Sequence, residues 1–159
     1  MADPFPPSRL CMAQLAHAYR QAEYFVAVGR REGRFRVDEH ATDIEAVLGA
    51  ARYLFITAWN PISQEPGLAD NMAADQQLQA RLQQAGFQHH SAIAADSLGG
   101  HKEHGWLVLD LPEATADLLA REFRQAGILY WQCGQPVRLR MQSPPPQDWP
   151  ECAAVDWTG

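Results

Sequence analysis

Hydrophobic positions along the chain switch between a helical and a strand period, and the switches mark the elements. Residues 8–22 place Leu10, Ala13, Leu15, Ala16 and Tyr19 at loose helical spacing behind a proline-rich start, with Ser8 as a cap, and predict a first helix. Short β-prone runs at 24–28 and 34–37 flank Gly29 and Gly33, the pattern of a hairpin with a charged turn. Thr42 or Asp43 caps a brief helix through Ile44, Val47 and Leu48 that ends near Gly49.

The strongest signal follows. Tyr53-Leu54-Phe55-Ile56-Thr57-Ala58-Trp59-Asn60-Pro61 is short, β-branched and aromatic, which predicts a strand buried on both faces and stopped by Asn-Pro. A helix is expected over 70–85, with Asn71, Asp75, Leu78, Leu82 and Ala85 on one face and Gly86 as its left-handed stop. Two strands, 87–95 and 104–111, are joined by a Gly99-Gly100 turn. Pro112 then opens a helix carrying Ala116, Leu119, Ala120 and Phe123 on its apolar face, and Gly127 is expected to end it. Runs at 128–131 and 137–141 supply a last strand or hairpin.

From 53 to 141 the order is β-α-β-β-α-β, so the expected fold class is α+β with a ferredoxin-like split βαβ core and an antiparallel sheet. One domain over 1–141 is expected, with the N-terminal helix and hairpin at 8–50 and the core at 53–141. Helices on one face of the central strand leave its other face to be covered by the N-terminal helix and hairpin, or by a second copy in a homodimer. Residues 142–159, with Pro144-Pro145-Pro146, Trp149, Pro150 and Trp157, cannot continue a helix or a central strand and are expected as an extended tail packed back on the domain.

Composition narrows the classes. The chain has 159 residues, enough for one core without metal or disulfide support. Cys11, Cys133 and Cys152 are odd in number and unrelated in spacing, which suits a reducing, cytoplasmic setting. Pro4, Pro6 and Pro7 interrupt the place where a signal peptide needs an apolar core, and no apolar run approaches the ~20 residues of a membrane span. A net charge of −6 argues against a general nucleic-acid binder. The local exception, Arg30, Arg31, Arg34 and Arg36, is expected to be a solvated hairpin face.

Thr57-Ala58-Trp59-Asn60-Pro61, Ser63, Asn71 seven residues before Leu78, Leu82 and Gly86 resemble the bacterial family called domain of unknown function 3293. The resemblance runs from about Tyr19 to Leu139. It places Glu103 where the family tends to carry an acidic residue and Gln125 where it tends to carry Gln. His101 stands where an aromatic is frequent, and Asp75 where a second Asn is common. The resemblance implies a small cytosolic domain of unassigned role.

In the split βαβ topology the end of the central strand lies beside the starts of the third and fourth strands. Trp59, Asn60, Ser63, Asn71, Glu103, His104 and Gln125 are therefore expected to gather at one pole. Two readings of that pole compete. The amides and the serine can simply satisfy loop and helix-end backbone groups. Alternatively they orient a small molecule or a protein partner in a polar pocket walled by Trp59, which makes the chain a non-catalytic binding or interaction module. A third possibility is a small hydrolase or transferase with Glu103 or His104 as acid/base and Asn60 polarising a carbonyl. Neither Ser63 nor Cys133 sits in a nucleophile signature.

A metal site from His89, His90, His101 and His104 is disfavoured, because hairpin register puts position 89 opposite about 109, roughly five residues or ~17 Å along the strand from 104. His101, Glu103 and His104 would need a further ligand, so no metal and no cofactor are expected. An RNA-binding alternative rests on the shared β-α-β-β-α-β order. The third strand supplies one aromatic, Trp106, and the first strand Phe55.

Overall fold

A computed structural model describes residues 12–61, 65–97 and 100–159. The expected cap Ser8, the site residue Ser63 and Gly99 of the hairpin turn lie outside the described residues. Within them are four helices, α1 (Met12–Gln21), α2 (Thr42–Leu48), α3 (Leu68–Ala85) and α4 (Glu113–Glu122). The strands are β1 (Glu23–Val28), β2 (Arg31–Phe35), β3 (Arg52–Ile56), β4 (His89–Ala95), β5 (Lys102–Leu109), β6 (Gly127–Gln132), β7 (Arg138–Met141) and β8 (Val155–Trp157).

All eight strands join one sheet in the order β2-β1-β4-β5-β3-β6-β7-β8. The apolar run at 53–56 sits inside it, antiparallel to β5 through Tyr53↔Leu109 and to β6 through Tyr53↔Trp131. Two expectations are corrected here. The N-terminal hairpin does not lie over the sheet; it extends the sheet, with β1 antiparallel to β4 through Phe25↔Ile93. Nor is the sheet wholly antiparallel, since β8 pairs in parallel with β7 through Arg140↔Asp156. The fold is mixed α+β, with a sheet larger than four strands.

Side-chain alternation divides the sheet into two cores. Tyr53, Phe55, Leu107, Leu109, Leu129 and Trp131 face one side, where Ala16 of α1 and Ile44 of α2 pack on them. Leu54, Ile56, Val108, Ile128 and Tyr130 face the other, under Leu78 and Leu82 of α3 and Ala116, Leu119 and Ala120 of α4. A buried leucine or isoleucine contributes ~1.5 to 3 kcal/mol, so two packed faces explain why β3 is apolar from Tyr53 to Ile56. The face left to either the N-terminal segment or a second copy carries α1 and α2 of the same chain.

Local chemistry sets the boundaries. Gly86 ends α3 at φ 78°, a left-handed position open to glycine, and its N–H reaches Gln83 and Leu82 carbonyls. Helix α4 stops at Glu122 with Phe123 as its cap, earlier than the expected stop at Gly127, which instead begins β6. Gly105 in β5 is a packing requirement: a Cβ there would stand 2.7 Å from the Ile56 carbonyl oxygen and 3.0 Å from the Phe55 ring. That close approach lets the Phe55 ring lie against β5 at Gly105.

Candidate functional site

Beyond β3 the chain turns at Asn60, whose φ of 50° is left-handed, a conformation asparagine tolerates better than most residues. The turn is fixed by a reciprocal pair of amide bonds. Asn60 N donates to Asn71 Oδ1 at 2.9 Å, and Asn71 Nδ2 donates to Asn60 Oδ1 at 2.9 Å. Asn60 Nδ2 then donates to Glu103 Oε1 at 2.7 Å. Gln125, after α4, donates through Nε2 to the carbonyls of Trp59 at 3.1 Å and Phe123 at 3.2 Å. Asn60, Asn71 and Gln125 are all buried. Five expected residues, Trp59, Asn60, Asn71, Glu103 and Gln125, thus meet at one pole.

His104 does not join them. It follows Glu103 directly in β5, and successive strand residues point to opposite faces. Glu103 faces the α1 side, where it raises the pKa of Tyr19 and Tyr24, whereas His104 packs against Trp106 on the α3 side at 5.5 Å between ring centres. A joint acid/base role for Glu103 and His104 is therefore not what the geometry offers.

The two faces hold separate cavities that share Trp59 as a wall. On the α1 side a cavity of about 300 Å³ is lined by Tyr19, Tyr24, Trp59, Glu103, Gln125 and Ala126, among others. Both tyrosines are held protonated well above the ordinary phenol value, by burial first; for Tyr19 the charge of Glu103 adds to this and a Gly127 backbone hydrogen bond opposes it. Tyr24 donates to the Tyr19 carbonyl at 3.1 Å. His101 brings Nε2 within 3.5 Å of Glu103 Oε1.

On the α3 side a cavity of about 430 Å³ reaches Trp59, Met72, Asp75, Ile93, Lys102 and His104. Ser91 Oγ and His104 Nε2 share a hydrogen bond of 2.9 Å, and His104 Nδ1 stands 3.6 Å from Asp75 Oδ2. Asp75 Oδ1 is anchored by the Trp106 indole N–H at 3.0 Å.

Tyr19, Tyr24, Asp75, Ser91 and His101 are additions to the expected set. Only alternation along β4 and β5 could have placed Ser91 beside His104; nothing local announces that α1 would bring Tyr19 over Glu103. His89 pairs with Val108, one position from the expected partner, and Trp106 separates its ring from that of His104. Among the described residues no group of three or more His, Cys, Asp or Glu is disposed to hold a metal ion. Phe55 and Trp106 are buried on opposite faces of the sheet, so together they form no stacking surface for bases. No helix among the described residues is long and apolar enough to cross a membrane.

Comparison with curated proteins and with solved structures gives no match. The model of a family described as Protein of unknown function (DUF3293) matches residues 56–128, a narrower span than 19–139, and contains Trp59, Asn60, Asn71, Glu103 and Gln125. Over residues 56–128 the chain is similar to the DUF3293 family.

Proposed function

We propose that this is a cytosolic small-molecule-binding domain, built on a ferredoxin-like split βαβ core formed by β3-α3-β4-β5-α4-β6, whose ligand sits in the cavity between α1 and the pole of the sheet. The observation that carries this reading is the chain of hydrogen bonds from Asn71 through Asn60 to Glu103, which holds a carboxylate at the wall of an otherwise largely apolar cavity. Few but well-fixed polar groups in an apolar concavity are the usual make-up of a ligand site, and about 300 Å³ lies at the small end of such sites. Ala18, an exposed residue of α1 at the rim, offers the test. Ligand-observed NMR of the chain against a panel of small polar aromatics should give binders that Ala18→Trp loses while keeping its melting temperature. A panel with no binder, or binders indifferent to Ala18→Trp, rejects the reading.

A catalytic reading has one observation in its favour, the Ser91–His104–Asp75 succession on the α3 side, which has the order of a nucleophile, a base and an orienting carboxylate. Ser91 lies within β4 rather than at a strand-to-helix turn that would offer spare N–H groups to an oxyanion, so it stands second. A fluorophosphonate probe that labels the chain at Ser91, and fails to label His104→Ala, would move it to first.

A further inference from the structure

Among the described residues, acidic side chains outnumber basic ones in the lining of the α1-side cavity. Glu65, Asp96 and Glu103 line it against a single imidazole, His101, and no lysine or arginine lines it among the described residues. Two of its acceptors are positioned by the fold and have no donor among the described residues. Glu103 has Oε1 engaged by Asn60 and close to His101, whereas Oε2 receives no hydrogen bond from the described residues. Gln125 must point Nε2 at the carbonyls of Trp59 and Phe123, because those oxygens need a donor. Its Oε1 is consequently the end of the amide without a partner among the described residues, in a side chain only 6% exposed that lines the cavity.

Building on the binding reading above, we propose that this pocket takes a small organic cation, a primary ammonium or amidinium group on a compact apolar body. The chemistry excludes the alternatives in turn. An anion would meet the carboxylates of Glu65 and Glu103. A neutral apolar molecule would strip water from Glu103 Oε2 and Gln125 Oε1 and return nothing, and buried acceptors left unpaired are costly. An ammonium satisfies both with N–H groups, and its bond to the carboxylate is charge-assisted. The body of such a ligand finds Leu15, Ala22, Ala94 and Ala126 as aliphatic wall. Trp59 and Tyr19 add aromatic rings, which attract cations more than they attract neutral groups.

Three probes of one shape and different charge separate the possibilities: phenethylamine, phenethyl alcohol and 3-phenylpropionate, titrated into the full chain by calorimetry near neutral pH. The amine should bind about tenfold or more tightly than the alcohol, the carboxylate should not bind, and the amine's affinity should fall as salt is added. Glu103→Gln retains an oxygen for Asn60 Nδ2 and should weaken the amine about tenfold without changing the alcohol. Glu65→Gln, at an exposed rim position, should act in the same direction more weakly and does not depend on Glu103 for folding. Equal binding of amine and alcohol, or preference for the carboxylate, with either lost in Ala18→Trp, overturns the cation assignment and leaves a pocket of another specificity. Absence of binding by all three at millimolar concentration overturns both. Preference for an Nα-acetyl-lysine amide over phenethylamine overturns the small-molecule occupant in favour of a lysine side chain of a partner protein.

Discussion

Asn71 has two bonds to Asn60 and no substitute for either. Truncation in Asn71→Ala leaves the buried N–H and Oδ1 of Asn60 without partners, and each such orphan costs ~1 to 3 kcal/mol. Urea denaturation should therefore show Asn71→Ala less stable by about 2 to 6 kcal/mol, whereas Glu103→Gln, which keeps the acceptor for Asn60, should lose under about 1 kcal/mol. A loss below about 0.5 kcal/mol in Asn71→Ala would mean the turn holds without the amide pair. Asn60, Asn71, Glu103 and Gln125 were legible because each sits where an element begins or ends, and the order of elements alone decides which ends meet. His104 occupies the same point on β5 as Glu103, yet the two-residue period of a strand carries it through the sheet. The signal was present in the sequence, in the alternation of His104, Trp106 and Val108 against Glu103, Gly105 and Leu107. Tyr19 and Tyr24 carried no comparable signal, because α1 brings Tyr19 to the cavity by packing and Tyr24 shares a row with Glu103 through the non-local pairing of β1 with β4.

The element that most constrains the site is β5, and within it Gly105. A methyl group there meets the carbonyl oxygen of Ile56 at 2.7 Å, a backbone atom that cannot turn aside. At Gly127 the nearest atom to a new Cβ is Met141 Sδ at 2.8 Å, in a flexible but fully buried side chain, followed by the Tyr19 ring at 3.2 Å. Overpacking costs ~1 to 3 kcal/mol and more where backbone must move. Gly105→Ala should consequently lower the melting temperature further than Gly127→Ala, and equal shifts would show that β3 and β5 can separate freely. Gly127→Ala should still displace Tyr19, visible as a changed absorbance titration of the phenols. Helices and most strands of this part of the chain were readable from period and punctuation. The strand β8 was not, since three residues after a proline-rich stretch fall below any recognisable pattern and their pairing to β7 is non-local and parallel. For the same reason the hairpin was found but its edge was not: local pattern makes β1 and β2, whereas Ala92, Ile93, Ala94 and Ala95 on β4 decide where they dock.

At the scale of the whole molecule, the acid sensitivity of the fold should pass through the join between α4 and β7. Arg140 donates through Nε and through one terminal nitrogen to the two carboxylate oxygens of Asp117 at 2.7 Å each, Gln142 adds a bond of 2.9 Å, and Glu113 sits 3.1 Å from Arg140. The Asp117 and Arg140 side chains are mostly buried, 15% and 17% exposed, so solvent screens the pair less than a surface one. Hydrogen bonding by Arg140 and Gln142, with the charges of Arg140 and Arg121, holds the Asp117 carboxyl below its ordinary value of 3.8, against the opposing effect of burial. A carboxylate depressed in the folded state adds stability that is present above the unfolded value and fades as pH falls through the lower folded one. Unfolding by urea at a series of pH values should therefore show the difference between the parent chain and Asp117→Asn at its largest near neutrality and narrowing below pH 3.8, where the unfolded carboxyl is already protonated. The join also couples the layers, because Arg140 lies beside Leu139 and Met141, both fully buried under α1's side of the sheet, while Asp117 lies beside Ala116, buried on the other. Losing it should loosen β7 and β8 before the pole at Asn60, so hydrogen exchange in acid should rise first at residues 138–141 and 155–157; exchange that rises first at Asn60 and Asn71 would place the weak point at the proposed pocket instead.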